Sequence, residues 1–379
     1  MPVALQRSTR FYATLTISSV VCVGLVWGAL YWKDVGKETR QASRDLLTLM
    51  ELRSSALKKY LSTIRSEAVL WSSHERIQTA FLEFSDAWKG LGKDQERVLK
   101  KFYIEDNPHP VGKKHRLDDA KDGSAYSKVH ARRHPWLRRF LEYHGYYDVF
   151  LFDRDGNLIY TTFKESDFTT NLATGRWKGS GLGKVFRTAR AAKIPDFVAF
   201  QDFASYGPSQ DAPASFVASP IFTDGVPVGV FALQVPADRI EKVMQFTAGM
   251  GETGETYLVG RDLLMRSDSR FSEESTILRT TVDTETVHLA LQGESGVQIT
   301  PDYRGIRVLS AYGPLKFEGV TWAVMAEIDE AEIKERFFDL RKVIITGILA
   351  AASVGIVVVV LLMFLLGRAE KPAPWTEPD

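Results

Sequence analysis

Cysteine occurs once in 379 residues, at Cys22, and that residue lies inside an apolar run. An intrachain disulfide and a cysteine-based zinc site are therefore both impossible. An excess of either charge is also missing. The 48 Lys plus Arg nearly cancel the 47 Asp plus Glu. The basic field of a nucleic-acid binder is absent, and no nucleic-acid partner is expected. No GxSxG, Walker A, HExxH or paired-glycine fingerprint occurs, so nucleophilic hydrolysis, nucleotide chemistry and zinc proteolysis have no support. The expectation is of no enzyme, no catalytic residue, no cofactor and no metal. The stretch GETGETYLVGRD lacks the spacing and the lysine of a phosphate loop and reads as a turn leading into a strand.

What is present is apolar mass. At 45% hydrophobic and 25% charged residues the chain folds around one or two buried cores. Residues 11–32 form 22 positions without a charge, and residues 343–366 form 24 more. Either is long enough to cross roughly 30 Å of hydrocarbon at about 1.5 Å per helical residue. A cleaved signal peptide is the rival for the first run, but its exit is bulky (Trp27, Tyr31, Trp32) where cleavage needs small residues. Gly24 with Gly28, and Gly347, Ala351 and Gly355, form small-residue rows that permit close helix approach. The tails carry +2 and −1, and basic residues favour the cytoplasmic side. Lys33, Lys37 and Arg40 on the other flank weaken that vote.

The segment between the runs begins with apolar residues at Leu46, Met50, Leu57, Leu61, Ile64, Ala68 and Trp71, the spacing of one helix face, interrupted by Arg53. Ser73 reads as the N-cap of a second helix that runs through Trp88 and stops at Gly90-Leu91-Gly92. Residues 108–128 are polar and irregular, the composition of a surface loop. Five of the seven histidines fall at His109, His115, His130, His134 and His144. His130 and His134 would share a helix face. Metal binding is one reading of them, and solvated residues of a basic surface stretch (HARRHPWLRR) the favoured one.

Two stretches share one grammar. YYDVFLFDRDGNLIYTT places two β-rich runs around Asp155-Gly156-Asn157, a hairpin signal, and ETYLVGRDLLMRSDS reads as strand, turn at Gly260 to Asp262, and strand. Each unit closes alike, in residues 215–244 and 308–337. One strand carries a proline (Pro220, Pro314), a turn carries a glycine (Gly225, Gly319), and a last strand runs into an amphipathic helix. The fold class is α+β, with two tandem antiparallel sheets of about five strands and flanking helices.

The long helix, the two modules and the stretches GYYDVFLFD, KESDFTTNL, FQDFASYGPSQDAPASFVASP, GETGETYLVG and MRSDSRF resemble the double Cache sensing region, two PAS-like folds in tandem, of bacterial chemoreceptors, sensor kinases and cyclases. The resemblance covers roughly Lys33 to Lys342 and implies that this region faces the periplasm or the outside of a two-pass bacterial inner-membrane protein. The division it implies is a cytoplasmic tail at 1–10, a span at 11–32 and a helical part at 33–92. A membrane-distal module at 93–245, a membrane-proximal module at 246–342, a span at 343–366 and a cytoplasmic tail at 367–379 follow.

The resemblance further implies a small ligand held by the distal module. Arg176 and Trp177 offer a cation fork and a flat face for an anionic or amphoteric solute, and Tyr160, Phe200, Asp202, Tyr206, Ser219 and Gln234 could complete the pocket. The amino-acid-binding branch of the family uses Arg-x-Trp and an Asp in the last distal strand. Here Arg176 and Trp177 are adjacent, and Gln234 stands where that carboxylate is expected. An amino-acid ligand of the usual kind is therefore not expected, and organic acids stay open. Dimerisation is expected from the resemblance. With 13 residues after Leu366, the output is expected from a partner protein. The alternatives are the sensory half of a larger receptor, kinase or cyclase, or a non-signalling membrane scaffold.

Overall fold

The structure is a computed structural model. It describes residues 39–335 together with positions 345 and 347–349. The apolar runs 11–32 and 343–366 fall wholly or largely outside the described residues. Among the described residues no helix is long and apolar enough to cross a membrane.

Residues 39–73 form one helix, α1. Its predicted stripe is buried at Leu46, Met50, Leu57, Leu61, Ile64 and Ala68, with Trp71 half-buried. Arg53 fits within the stripe because its guanidinium lies 4.9 Å from the ring of Phe246 and donates to the Phe246 carbonyl at 2.7 Å. Helix α2 (Glu75–Gly90) is capped by His74, whose Nδ1 accepts from the Arg76 amide at 3.1 Å. Ser73 still belongs to α1, so the cap falls one residue later than expected. Helix α3 (Gln95–Lys100) continues into a π turn over Lys101–Glu105.

The irregular stretch ends at Ser124, whose Oγ accepts from the Ser127 amide at 3.0 Å and starts helix α4 (Ala125–His144). His130 and His134 do share a face of α4, but both are fully buried, not solvated. Pattern reading missed this because a basic helix face and a basic loop have similar composition.

The first sheet orders its strands β2-β1-β5-β4-β3, all pairs antiparallel: β1 (Asp148–Asp153), β2 (Leu158–Thr161), β3 (Ala199–Tyr206), β4 (Ala212–Thr223) and β5 (Val226–Val235). Gly156 makes the predicted hairpin turn at φ 97°, a conformation that strongly favours glycine. Helix α5 (Gly181–Arg190) covers one face, packing Leu182, Val185 and Phe186 onto Phe150, Phe152, Phe216 and Val230. The other face, with Val149, Leu151, Val217, Phe231 and Leu233, joins the core built by α1, α2 and α4.

After α6 (Asp238–Met244) the second sheet orders β6-β9-β8-β7: β6 (Glu255–Val259), β7 (Gly296–Pro301), β8 (Arg307–Phe317) and β9 (Val320–Asp329). It has four strands, covered on one face by α7 (Glu285–Gln292). The expected strand after Gly260 does not form. Only single bridges, Val259 with Met265 and Leu264 with Thr281, mark it, and Leu263 takes a positive φ of 64°. Its Arg266 turns instead toward the first sheet.

The repeat is visible in register. Asp148 faces Gln234 across β1 and β5, and Glu255 faces Glu327 across β6 and β9. The two strand prolines obey the same rule. Ala218 and Tyr312 are the partners of the end residues of β3 and β7, and Pro220 and Pro314 each lie two residues further, where the flanking strand has run out. On that side there is no flanking strand to want the missing N–H, while Val230 and Ala323 stay their partners on the other.

Candidate functional site

Asp148 opens β1 wholly buried on the α5-covered face, and its carboxylate fixes the chain that leaves β2. Oδ1 accepts from the amides of Val149 (2.6 Å), Thr162 (2.8 Å) and Phe163 (3.2 Å), and Oδ2 from the Thr161 hydroxyl. The following segment, residues 162–178, folds back along the hairpin through Leu158 N to Thr170 O and Leu172 N to Gly156 O. Lys164 and Thr169 turn it at φ 58° and 68°, which is strained for side chains with a Cβ. Such strain persists only where the surroundings over-determine it.

This segment places two more carboxylates beside the sheet. Asp167 is fully buried. Its Oδ2 accepts from the Tyr206 hydroxyl at 2.5 Å, while its Oδ1 has no partner. Glu165 accepts from Tyr147 (2.9 Å) and Ser209 (2.7 Å), and the Ser209 Oγ in turn receives a long bond of 3.5 Å from Gln234 Nε2. The Gln234 Oε1 is buried without a partner as well.

Burial pushes Asp167 up to about 7, with the Tyr206 bond opposing and the neighbouring Glu165 charge adding to the rise. Burial also raises Glu165, which its two hydroxyl partners oppose. Asp148 is raised by burial against its Thr161 bond, and Lys164 is lowered by burial against the attraction of Asp148. The Lys164 ammonium donates to the Thr161 carbonyl and otherwise faces the rings of Tyr160 (4.3 Å) and Phe168 (5.1 Å). The result is a water-poor site with three mutually repelling carboxyls and more acceptors than donors.

Of the eight residues named from sequence, Tyr206 and Gln234 enter this site, and Trp177 closes over Tyr206 with ring centroids 6.4 Å apart. Arg176 stays exposed, its guanidinium stacked on Trp177 at 4.6 Å. Tyr160 projects to the other face and bonds His134 at 2.7 Å. Ser219 also lies on that side, 3.0 Å from Ser72 of α1. Phe200 and Asp202 sit where the two sheets meet. Phe200 packs edge-on to Phe317, and Asp202 accepts from Arg266 and from the Trp322 indole.

Sequence reasoning passed over Asp148, Glu165 and Asp167. They stood in GYYDVFLFD and KESDFTTNL, and the signal was their position beside a β-rich hairpin.

In the second sheet the equivalent positions carry Glu255 and Glu327, which with Asp302 form a buried carboxyl group whose atoms lie within 4.8 Å of one another. Serine, tyrosine, arginine and backbone donors satisfy all three. A shallow cleft bounded by Met244, Phe246, Met250, Glu255 and Arg270 lies against β6 and shares no residue with the first-sheet site.

A family profile described as Cache domain matches residues 39–337. Among solved structures, the chain is similar to the periplasmic sensory domain of the Campylobacter jejuni chemoreceptor Tlp1, at 14% identity and TM-score 0.42, covering 78% of this chain and 98% of that one. It is similar to the ligand-binding domain of the Campylobacter jejuni chemoreceptor Tlp3 in complex with 4-methylisoleucine, at 12% identity and TM-score 0.43, covering 76% and 91%. A third is the ligand-binding domain of the Pseudomonas aeruginosa amino acid chemoreceptor PctC in complex with GABA, at 15% identity and TM-score 0.37, covering 66% and 96%. A comparison with curated proteins found no match.

Proposed function

The chain belongs to the Cache domain family, and from that premise we propose that it is a sensor that binds a small molecule carrying a protonated amine at Asp148, Glu165, Asp167, Tyr206 and Gln234. The observation that carries the ligand chemistry is the pair of orphaned acceptors, Asp167 Oδ1 and Gln234 Oε1. A buried acceptor left unpaired costs roughly 1–3 kcal/mol, and an ammonium group, with three donors and a positive charge, suits such an oxygen and lowers the repulsion among the carboxyls.

This reading replaces the anion pocket expected from Arg176, because that guanidinium lies outside, on Trp177. The argument against amino acids rested on the missing carboxylate at Gln234. Asp167 and Glu165 supply carboxylates from the folded-back segment, so that argument loses its basis.

Cache domains sense ligands and are not catalytic, which accords with the lack of catalytic motifs. The runs 11–32 and 343–366 are proposed as membrane anchors, with the described region outside the cytoplasm. Their length and apolar character support this. Ligand closure would shift α1, which shares one core with both sheets, and so carry the signal toward the membrane or a signalling partner.

The test is a thermal-shift screen of the detergent-solubilised full chain against amines, amino acids and organic acids. A ligand present at 100 times its Kd adds about 2.7 kcal/mol. Amine-bearing solutes are expected to raise Tm, and Asp167→Asn to abolish the response. Stabilisation by organic acids alone, lost in Arg176→Ala, would refute the amine reading. No stabilisation by any solute would favour a scaffold without a working pocket.

A further inference from the structure

The histidines of HARRH take no part in the ligand site, yet they are placed with purpose. His130, His134 and Arg138 recur one turn apart on α4 and grip the same passing chain. His130 Nδ1 bonds the Asp118 carbonyl (2.8 Å), His134 Nε2 the His115 carbonyl (2.6 Å), and Arg138 both the His115 carbonyl (3.0 Å) and the Asp118 carboxylate (2.7 Å). A carbonyl only accepts, so each of these ring nitrogens carries its hydrogen and donates. That leaves His130 Nε2 bare, buried and without a partner, and His134 Nδ1 accepting from the Tyr160 hydroxyl.

The gripped segment touches the ligand-site wall. His115 packs on Phe163 at 4.5 Å, Phe163 stacks on Tyr147 at 4.8 Å, and the Tyr147 hydroxyl bonds Glu165.

We propose that residues 113–118 are a strap latched by His130 and His134, which protonation of the two imidazoles releases, loosening the ligand-site wall at residues 162–168.

The surroundings give protonation nowhere to go. The two rings stack 4.2 Å apart, so two imidazolium charges would oppose each other directly. A proton on His130 Nε2 would meet no acceptor, and one on His134 Nδ1 would confront the Tyr160 O–H unless that hydroxyl reversed. The titratable and charged groups around the pair are Tyr126 and Arg138 on α4, Tyr103 on the π turn, His115 and Asp118 on the strap, and Tyr160 and Lys164 at and beyond β2. Phe84 faces it from α2 and carries no charge. The only carboxylate among them, Asp118, is taken by Arg138.

Burial depresses both imidazoles well below their ordinary range, with Lys164 and Arg138 adding to the effect. The latched form therefore holds fewer protons than the open form below about pH 6.5. The latch is closed above that value, and with two such groups the opening constant rises up to about 100-fold per pH unit on further acidification.

The latch stands without ligand. Its effect on ligand affinity rests on the reading of the site given above, and the test separates the two. Hydrogen exchange of the full chain, corrected for the intrinsic effect of pH, is followed at pH 7.5, 6.5 and 5.5 in peptides spanning 110–120, 125–140 and 160–170, with β8 and β9 as reference. The three regions are expected to lose protection below pH 6.5 while the reference holds.

The double variant His130→Asn with His134→Gln keeps a donor toward each carbonyl and cannot titrate at these two positions, so its acid loss of protection is expected to shrink to the part carried by His115, Lys164 and Asp167. Loss of protection in parallel with the reference, or an unchanged acid response in the double variant, would overturn the proposal. Should the variant not fold, histidine ¹³C chemical shifts of the wild type decide. Two imidazoles titrating near 6.5 with the strap still protected would refute it, and two that stay neutral until the strap opens would support it. Strap release without any amine response in the thermal screen would leave the latch standing and remove the ligand reading.

Discussion

Asp202 and Arg266 meet in a two-pronged ion pair at 3.0 Å on each prong, joining edge strand β3 of the first sheet to the loop that leaves β6 of the second. Arg266 is 3% exposed and also bonds Asp262. Asp202 additionally receives the Trp322 indole N–H at 2.8 Å. Removing Arg266 leaves a largely buried carboxylate with two neutral donors, the Trp322 indole and the Phe203 amide, so Arg266→Ala is expected to cost about 3 kcal/mol. The check is the urea midpoint. A single shifted transition is the expected form, and an unchanged midpoint would mean that the pair holds nothing together.

Gly229 in β5 has no room for a side chain. A Cβ there would lie 2.6 Å from the Phe152 carbonyl and closer still to the ring of Phe81 on α2. Because the carbonyl belongs to a paired strand and cannot retreat, Gly229→Ala is expected to destabilise by about 1–3 kcal/mol. Gly225→Ala is strained for a different reason, its φ of 77° in an open turn, and makes a useful comparison. Thermal melts of the two variants would show whether close approach or backbone conformation is the harsher constraint.

Asp167 is raised toward 7 by burial, so the folded chain binds its proton more tightly than the unfolded chain does. This group therefore favours folding less as pH rises from about 4 to 7, and Asp167→Asn should remove that slope. The variant is expected to be at least as stable as wild type at pH 8 while losing tenfold or more in affinity for an amine that stabilises the wild type. Equal affinity in calorimetry would exclude Asp167 from the ligand contact.

Lys164 has the opposite sign. Its amine is depressed by burial, so the unfolded chain holds the extra proton and stability contributed by this group falls as pH drops from the ordinary lysine range. Lys164→Met keeps the stem against Tyr160 and Phe168 and is expected to stabilise the chain more at pH 6 than at pH 10. Urea midpoints at the two values give the comparison. A larger gain at pH 10 would show that the charge, not its burial, matters.

How much of this was legible in advance depended on range. The α1 stripe from Leu46 to Ala68 could be read because its spacing repeats locally and one face must leave water. The Gly156 hairpin could be read because its conformation favours few residue types. The acidic site could not, since Asp148, Asp167, Tyr206 and Gln234 span 87 positions and become neighbours only through antiparallel register and the folded-back segment. Tyr160, Phe200, Asp202 and Ser219 were grouped with Arg176, Trp177, Tyr206 and Gln234 on the implied pocket and on aromatic or polar character. None of those features encodes the face of the sheet.

The sequence by itself determined the alternation along each strand, the turns, the helix stripe and the two-unit repeat, because each follows from contacts within a few residues. Only the tertiary structure decided which set of alternate side chains faces α5 and which faces α1. It also decided that Arg176 lies on the outside of Trp177, and that His130 and His134 are buried beneath a strap. A period of two fixes that neighbours point oppositely, but what covers each face is supplied by distant segments, and burial by those segments turns ordinary carboxylates and imidazoles into strained ones.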